Sequence, residues 1–226
     1  MKKYISVLQK TKIFFGLSEE ETAKALECFG TKIQTYSKDE YVLRQGECTQ
    51  DISILLHGRL YIQKEDYWGN RSILGQIAPG EMFGEAYAAS KYGSVLNDVV
   101  AVENSTVISF NLKRILTQCE KQCNFHSAVI QNLFFSISEK NIALVQKIGH
   151  MSMRSTREKL ISYLSEEAKK QNAPQFTIPF NRQQLADFLS VDRSAMSNEL
   201  SKMRADGLIE FRKNSFKLLL KQGKEI

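Results

Sequence analysis

Residues 79–98 read PGEMFGEAYAASKYGSVLND, the composition of a loop that could receive a small charged ligand. Gly80 and Gly84 allow tight backbone turns, and Glu81 and Glu85 supply carboxylates that accept hydrogen bonds. The loop has a single basic side chain, a lysine. A phosphate buried there would favour the planar fork of an arginine. The sequence therefore raises the question of whether this loop binds a nucleotide, another ligand or nothing.

Short strands are predicted to hold this loop in place. Between residues 36 and 110, β-prone runs such as DISILLH alternate with glycines, which is typical of an antiparallel sandwich, barrel or jelly roll. The dipeptide HG at 57–58 and the tripeptide WGN at 68–70 are predicted to be hairpin turns. Ahead of the strands, Ser18 and Glu21 form a capping-box pattern that predicts the start of a helix.

A long helix is predicted next, because residues 111–147 contain neither glycine nor proline. Within it, residues recur at alternating spacings of four and three, as in the seam of a coiled coil. The predicted seam consists of Ile130, Phe134, Ile137, Asn141, Leu144, Ile148 and Met151. Its one polar member is Asn141, and a lone seam asparagine fixes register and partner number. We therefore favour a dimerisation helix over an amphipathic helix packed on its own domain, with a hinge near residues 149–152.

The last third of the chain is predicted to be a winged helix-turn-helix. A helix over residues 155–171 and a short strand at 176–179 lead into two helices joined by a three-residue turn. Asn181 and Asp192 are the predicted caps of these two helices. The segments LIEFRK and FKLLL then predict a two-stranded wing. The residues expected to pack the two helices together are Leu185, Ala186, Val191, Met196 and Leu200.

This last third also carries most of the positive charge. Residues 150–226 hold 14 basic and 9 acidic side chains, which is +5 of the total +6. Such an asymmetry is the electrostatic footprint of nucleic-acid binding. The second helix of the motif enters the major groove, where arginine pairs with guanine and asparagine with adenine. The predicted base-reading residues are Arg193, Ser194, Ser197 and Asn198, and the predicted phosphate contacts are Ser201, Lys202, Arg204 and Lys213.

The sequence offers few other residues that could form disulfides, bind metals or carry out catalysis. Four cysteines are too few and too scattered for a disulfide framework, and Cys119 with Cys123 would supply only half of a metal site. No nucleophile-base pairing, metal cluster or Walker-type loop is visible in the sequence, so we expect no catalytic residues and no metal. No run of about 18 uncharged apolar residues exists, so we expect a cytoplasmic protein that does not span a membrane.

The order of these segments resembles the cyclic-AMP-receptor and fumarate-nitrate-regulator (Crp/Fnr) family of bacterial transcription factors. The resemblance is carried by the stretches RQGECTQDISILLHGRLYI, IAPGEMFGE and RQQLADFLSVDRSAMSNELSKMRADGLIEF, and it spans nearly the whole chain. It implies an α+β fold with an N-terminal antiparallel β-roll of the cyclic-nucleotide-binding jelly-roll type, a long dimerisation helix and a C-terminal winged helix-turn-helix. The expected bounds are 1–110 for the β-roll, 111–150 for the helix and hinge, and 151–226 for the DNA-binding domain.

The resemblance also bears on the loop at residues 79–98. In cyclic-nucleotide-binding members, an Arg-Ser pair after the Gly-Glu of this loop grips the cyclic phosphate. Val95 and Leu96 stand at the matching positions here, and no arginine lies between Arg71 and Arg114. Burying a phosphate against valine and leucine would be costly, so we expect cyclic AMP not to be the effector.

Three other effector chemistries remain to be weighed. An iron–sulfur cluster has no support, since no cysteine precedes Cys28. A haem site is possible but unsupported, because His57 lies on a predicted turn and His126 and His150 lie on or beside the long helix. A small apolar or aromatic effector is one open alternative, and a closed core without a ligand is the other. The residues that would line such a pocket are Gly84, Glu85, Tyr87, Tyr92, Val95, Leu96 and Asn141.

We therefore predict a homodimeric, sequence-specific DNA-binding regulator that is not an enzyme. Its implied partners are duplex DNA, a second copy of itself, RNA polymerase and a possible small-molecule effector. The alternative is a cyclic-nucleotide- or haem-responsive signalling module whose C-terminal domain binds a protein, because winged helices also serve as protein-binding modules.

Overall fold

The computed structural model describes residues 2–219 except 66, 69, 70, 91, 92 and 118–122. It divides into two compact units, Met1–Ile137 and Ser138–Ile226. The helices are α1 Lys2–Leu8, α2 Glu19–Cys28, α3 Glu85–Ala89, α4 Leu112–Leu116, α5 Phe125–Met151, α6 Thr156–Lys170, α7 Arg182–Leu189 and α8 Arg193–Ala205. The strands are β1 Lys32–Tyr36, β2 Tyr41–Leu43, β3 Asp51–His57, β4 Leu60–Glu65, β5 Arg71–Ile77, β6 Met82–Phe83, β7 Asp98–Ala101, β8 Ser105–Asn111, β9 Gln175–Thr177, β10 Ile209–Arg212 and β11 Ser215–Leu218.

The first unit is built on two antiparallel sheets, as the strand pattern predicts. One has the strand order β1-β8-β3-β6 and the other β2-β7-β4-β5. A core that includes Leu55, Leu60, Phe83 and Val107 draws side chains from both sheets, so the two sheets pack face to face. Tight burial between antiparallel sheets is the arrangement of a β-roll or jelly roll.

Strand β3 is buried on both faces, which explains its nearly continuous apolar sequence DISILLH. Leu55 belongs to the core between the sheets. On the other face, Ile52 and Ile54 join a second core formed with the helices of this unit. Side chains alternate between the faces of a strand, so a strand covered on both sides needs apolar residues at successive positions.

The predicted hairpin at His57 and Gly58 is wrong. Strand β3 pairs with β6 and β8, whereas β4 pairs with β5 and β7, so the two residues form a corner between the sheets. Gly58 has φ of +92° there, and a β-carbon on it would lie 2.3 Å from Ser105 Oγ and 2.7 Å from the Asn104 carbonyl oxygen. The corner therefore requires a glycine at this position.

The second predicted hairpin joins β4 and β5, which pair antiparallel with Glu65 opposite Arg71. Gly69 and Asn70 of the predicted turn lie outside the described residues. The pairing of the two strands confirms the hairpin connection.

Helices cover the outer face of the first sheet. Ser18 and Glu21 form the predicted capping box of α2, with Ser18 Oγ accepting from the Glu21 amide at 3.2 Å. The beginning of α5 packs into the same core through Phe125, Val129 and Leu133. The long helix therefore starts at Phe125, and the short helix α4 occupies part of the preceding segment.

The second unit contains the predicted helices, and its wing is larger than predicted. Strand β11 pairs with β10, as the two-stranded wing requires, and also with β9, with Phe216 opposite Phe176. The wing is thus one part of a three-stranded antiparallel sheet. The third strand was predicted as an element, but the sequence carried no signal for its pairing across about 40 residues.

Among the residues that the structure describes, no helix combines the length and apolarity needed to cross a bilayer.

We expect Gly58→Ala to destabilise the first unit more than Gly46→Ala. Both glycines have positive φ, +92° and +88°, so each alanine incurs about 1–2 kcal/mol of backbone strain. A β-carbon at Gly46 meets nothing within 4 Å, whereas at Gly58 it overlaps backbone atoms, which adds about 1–3 kcal/mol. Urea unfolding of the two variants measures the difference, and equal free energies of unfolding would contradict the steric role of the corner.

Candidate nucleic-acid interface

The turn between α7 and α8 is held by backbone conformation and capping. Asn181 and Gln184 form the predicted capping box at the start of α7. Ser190 ends that helix with φ of +50° and ψ of +58°, a left-handed conformation that lets the chain reverse direction. Asp192 then caps α8 by accepting from the Ala195 amide at 2.8 Å. These contacts fix the angle at which α8 leaves the turn.

The two helices share one apolar core. Leu185, Ala186, Met196 and Leu200 are each at most 1% exposed, and Val191 packs against them. The predicted packing residues of the helix-turn-helix are therefore confirmed. Phe176, Ile209 and Phe216 of the three-stranded sheet belong to the same core, so the sheet and the helices form one body.

Arg157 of α6 forms ion pairs with two acidic residues on α8 and at its C-terminal end. Its guanidinium donates to Glu199 at 2.5 Å and to Asp206 at 2.7 Å. Glu199 is near the middle of α8 and Asp206 is its C-cap, so one planar side chain ties two points along the helix. Sequence reasoning missed this contact because the partners are more than 40 residues apart.

The surface of α8 that points away from the core carries the four predicted base-reading residues. All four are exposed. Within the described chain, the side chains of Arg193 and Asn198 have no polar partner, so both are available to a ligand. By contrast, Ser194 Oγ donates to Asp192 at 2.6 Å and Ser197 Oγ donates to the Arg193 carbonyl oxygen at 2.9 Å. The serines thus present oxygen acceptors, while arginine and asparagine supply the donors.

The predicted phosphate-contacting residues lie around this surface, and they differ in whether their side chains already make contacts within the protein. Lys202 and Lys213 are exposed, and Lys213 occupies the wing turn with φ of +55°. Ser201 Oγ donates to the Ser197 carbonyl oxygen at 3.1 Å. Arg204 lies over the Phe211 ring at 5.0 Å, so its position is restrained by a cation–π contact.

Arg182 is a basic residue of this surface that sequence reasoning missed. Its guanidinium lies 4.8 Å from the ring centre of Phe211 and 5.0 Å from that of Phe216. Burial lowers the pKa of Arg182 from its ordinary value, although an arginine stays charged. Together with Arg204 it places two cations on one aromatic ring at the junction of the helices and the wing.

The loop at residues 79–98 has the predicted turns. Gly80 and Gly84 have φ of +88° and +82°, and Gly84 caps the short helix α3. Glu85 is buried, with 8% of its surface exposed, and Tyr87 is half-buried. Tyr92 lies outside the described residues.

Val95 and Leu96 face different environments. Val95 is 1% exposed and its backbone exchanges hydrogen bonds with Gly46 and Glu47, both at 2.8 Å. Leu96 is 64% exposed. Asn141 belongs to the second unit, where it is exposed on α5.

The predicted seam is an exposed apolar surface along α5. Phe134 is 67% exposed, Leu144 59% and Ile148 65%, and Ile137 and Met151 are 38% and 36% exposed. Ile130, the first member, packs partly against the core of the first unit. The exposed part of the seam therefore starts at Phe134.

The three histidines lie in different surroundings. His57 is exposed, whereas His126 and His150 are buried in separate units. Over the described part of the chain, no group of three His, Cys, Asp or Glu side chains is placed to hold a metal ion.

Comparison with known families matches both units. Residues 33–122 match the cyclic nucleotide-binding domain, and residues 158–222 match the Crp-like helix-turn-helix domain. A cyclic AMP receptor protein of Thermus thermophilus is 21% identical over 197 residues, which cover 87% of each chain.

Solved structures share the fold. A structure of CprK complexed with OCPA has a TM-score of 0.64 and 14% identity, covering 88% of this chain and 89% of that one. The c-di-GMP responsive global regulator CLP of Xanthomonas campestris has a TM-score of 0.56 and 17% identity, covering 88% of this chain and all of the other.

A β-roll of the cyclic-nucleotide-binding type followed by a winged helix-turn-helix with an exposed polar recognition helix defines a DNA-binding transcription regulator and not an enzyme. The chain belongs to the Crp/Fnr family of transcription regulators. The alternative of a signalling module with a protein-binding tail is not favoured, because the C-terminal unit matches the helix-turn-helix domain of that family.

We expect the stability of α8 to depend on pH through Asp192. The Ser194 hydroxyl and then the Ala195 amide hold the pKa of Asp192 below its usual value. Because the pKa of Asp192 is lower in the folded than in the unfolded protein, its ionised carboxylate stabilises the fold at pH values above the unfolded pKa of about 3.9. This stabilisation is lost as the pH falls through the folded pKa. Asp192→Asn keeps an oxygen acceptor for the cap but does not titrate. Thermal unfolding should show wild type more stable than the variant at pH 7, with the difference shrinking in acid. A difference that does not change with pH would contradict the capping role of the charge.

Proposed function

We propose that this chain is a homodimeric regulator that reads a two-fold related DNA site with α8 and responds to an effector other than a cyclic nucleotide. The observation that carries the DNA-binding part is the exposed face of α8, where Arg193 and Asn198 have no polar partner in the described chain. Preformed, unpartnered donors on a helix held by caps and by Arg157 are suited to base edges in a major groove. RNA polymerase is the further partner that a regulator of this family would meet.

Dimerisation is supported by the apolar surface of α5. In a single chain, large apolar side chains at most of the exposed seam positions are accessible to solvent. Burying each of them in an assembly stabilises it by about 1.5–3 kcal/mol. Asn141 interrupts this surface with one polar group, which restricts the partner to a matching register. A second copy of α5 offers the same pattern and meets both conditions.

The exposed surface is wider than a two-helix seam. Phe135, Ile142 and Val145 are 62%, 58% and 61% exposed and lie beside the seam on the same helix. A strict seam has only two apolar positions in seven. We therefore expect the partner subunit to cover these three side chains with residues outside its own α5.

Base reading is assigned to Arg193, Ser194, Ser197 and Asn198, and phosphate contacts to Ser201, Lys202, Arg204 and Lys213. The hydroxyls of Ser194 and Ser197 donate within the protein, so in a complex they would accept from exocyclic amino groups of adenine or cytosine. The hydroxyl of Ser201 must rotate from the Ser197 carbonyl oxygen before it can donate to a phosphate. Lys202 and Lys213 need no such change.

The effector pocket is proposed to involve Gly84, Glu85, Tyr87, Tyr92, Val95 and Leu96 of the first unit, whereas Asn141, the remaining residue expected from the sequence, belongs to the second unit. Proteins of this fold are described as complexed with OCPA in one case and as c-di-GMP responsive in another, so the fold alone leaves the ligand open. The buried Val95 offers neither a charge nor a hydroxyl to a cyclic phosphate. An uncharged ligand avoids that desolvation cost. It would act by binding one arrangement of the α5 helices more tightly than another.

Ile137→Glu is expected to produce monomers that no longer bind the operator, because a carboxylate at the seam would be buried without a partner in the dimer. Ala143→Glu is the matched control, since Ala143 is exposed on the side of α5 away from the apolar surface. Sedimentation equilibrium measures the oligomeric state of both variants. A wild-type protein that is monomeric at micromolar concentration, or an Ile137→Glu protein that remains dimeric, would contradict the proposal.

Arg193→Ala is expected to cost about 1–3 kcal/mol of binding and to relax specificity at one base pair per half-site. The half-sites should be centred about 34 Å apart. Lys202→Ala is the comparison, because loss of a phosphate contact weakens all sequences alike and lowers the salt slope by about one per half-site. Binding measured against a set of single-base operator variants at several salt concentrations separates the two. A uniform loss for Arg193→Ala would reassign that residue to the phosphates.

Cyclic AMP is expected to bind at best weakly. Two charge-assisted hydrogen bonds of about 1.5–3 kcal/mol each are missing, which weakens binding by about 10² to 10⁴. Adenosine, which lacks the phosphate, should bind no more weakly than cyclic AMP in calorimetry. Micromolar binding of cyclic AMP that Glu85→Ala abolishes would show that the arginine is dispensable.

A further inference from the structure

The fold brings together a thiol and an imidazole that are 98 residues apart in the chain. The Cys28 sulfur lies 3.2 Å from His126 Nε2. Cys28 is the last residue of α2, and His126 lies in the first turn of α5.

The partner of the second imidazole nitrogen sets the tautomer. His126 Nδ1 lies 3.2 Å from the carbonyl oxygen of Ile115. A carbonyl oxygen can only accept, so Nδ1 carries the proton and the lone pair of Nε2 faces the Cys28 thiol. The thiol can therefore pass its proton to Nε2, and the resulting imidazolium keeps its second donor bonded to Ile115.

Packing holds the imidazole in this orientation. His126 is 4% exposed, stacks on Phe125 with ring centres 5.0 Å apart, and meets Phe29 edge to face at 5.1 Å. Aromatic neighbours of this kind stabilise a cationic ring. The carbonyl end of α2 disfavours a thiolate at Cys28, and a protonated His126 opposes that effect.

We propose that Cys28 is a peroxide-oxidisable thiol, activated by His126 and converted to a sulfenic acid. The proton of the thiol moves to Nε2, and the sulfur attacks one oxygen of hydrogen peroxide. The oxygen–oxygen bond breaks, the departing hydroxide takes the proton from Nε2, and the products are Cys28 sulfenic acid and water. The sulfur is oxidised by two electrons, and the peroxide is reduced. The added oxygen lies on the Cys28 sulfur, which faces His126 in the first turn of α5.

Cys48 is an internal comparison for this reaction. It is exposed, and the described chain gives its sulfur no polar partner. Cys28 is only partly accessible but has the imidazole. If accessibility governs reactivity, Cys48 reacts first, and if thiolate formation governs it, Cys28 reacts first.

The first test uses the full-length, reduced protein without DNA. Hydrogen peroxide is added below one equivalent together with dimedone, which traps sulfenic acids, and the adducts are located by peptide mass mapping. We expect most of the adduct on Cys28. An adduct mainly on Cys48, Cys119 or Cys123 would overturn the proposal.

The second test separates activation by His126 from simple exposure. Alkylation by iodoacetamide is followed against pH at Cys28 and Cys48 in the same sample, and Cys28 should reach its half-maximal rate at a lower pH than Cys48. In His126→Gln, which retains a donor for the Ile115 carbonyl oxygen but no basic nitrogen, this separation should vanish. If circular dichroism shows that the variant does not fold, the wild-type profiles decide alone, and coincident profiles for the two cysteines would overturn the proposal.

Discussion

The rotational setting of α5 depends on the burial of Phe125, Val129 and Leu133 in the core of the first unit. These side chains recur every four residues and so form one stripe of the helix. Once that stripe is buried, the geometry of 3.6 residues per turn sets the direction of the later α5 side chains of this unit, up to Ile137. The exposure of Phe134 and Phe135 is therefore a consequence of how the first turns of α5 are packed. A change in that packing would rotate these side chains.

The position of the recognition helix α8 is determined mainly by contacts between residues close in sequence. Capping by Asp192 and the left-handed residue Ser190 determine where α8 begins, and Arg157 restrains its far end. Surface ion pairs contribute little to stability on average, but a planar arginine fork adds directional restraint. Each unit thus positions its functional helix through a few named contacts, one set apolar and buried, the other polar and near the surface.

The accuracy of sequence reasoning follows the range of the interactions. Capping patterns involve residues three apart, and those at Ser18, Asn181 and Asp192 were predicted correctly. The corner at Gly58 was predicted as a hairpin because a turn dipeptide does not reveal which strand its neighbours pair with. The roles of Arg157 and Arg182 depend on tertiary neighbours and gave no local signal. For the same reason the Cys28–His126 pair could not be found from spacing.

The strand pairing of the first unit has a consequence for synthesis of the chain. Strand β1 pairs with β8, so Lys32 cannot form its pairing in the first sheet until Ser109 has been synthesised. Pairings of such long range form slowly. The helix-covered core is complete only when Leu133 has been added, and the next residue, Phe134, begins the exposed apolar surface. During translation, the last residue of this core therefore leaves the ribosome immediately before the first residue of the surface through which two copies would meet.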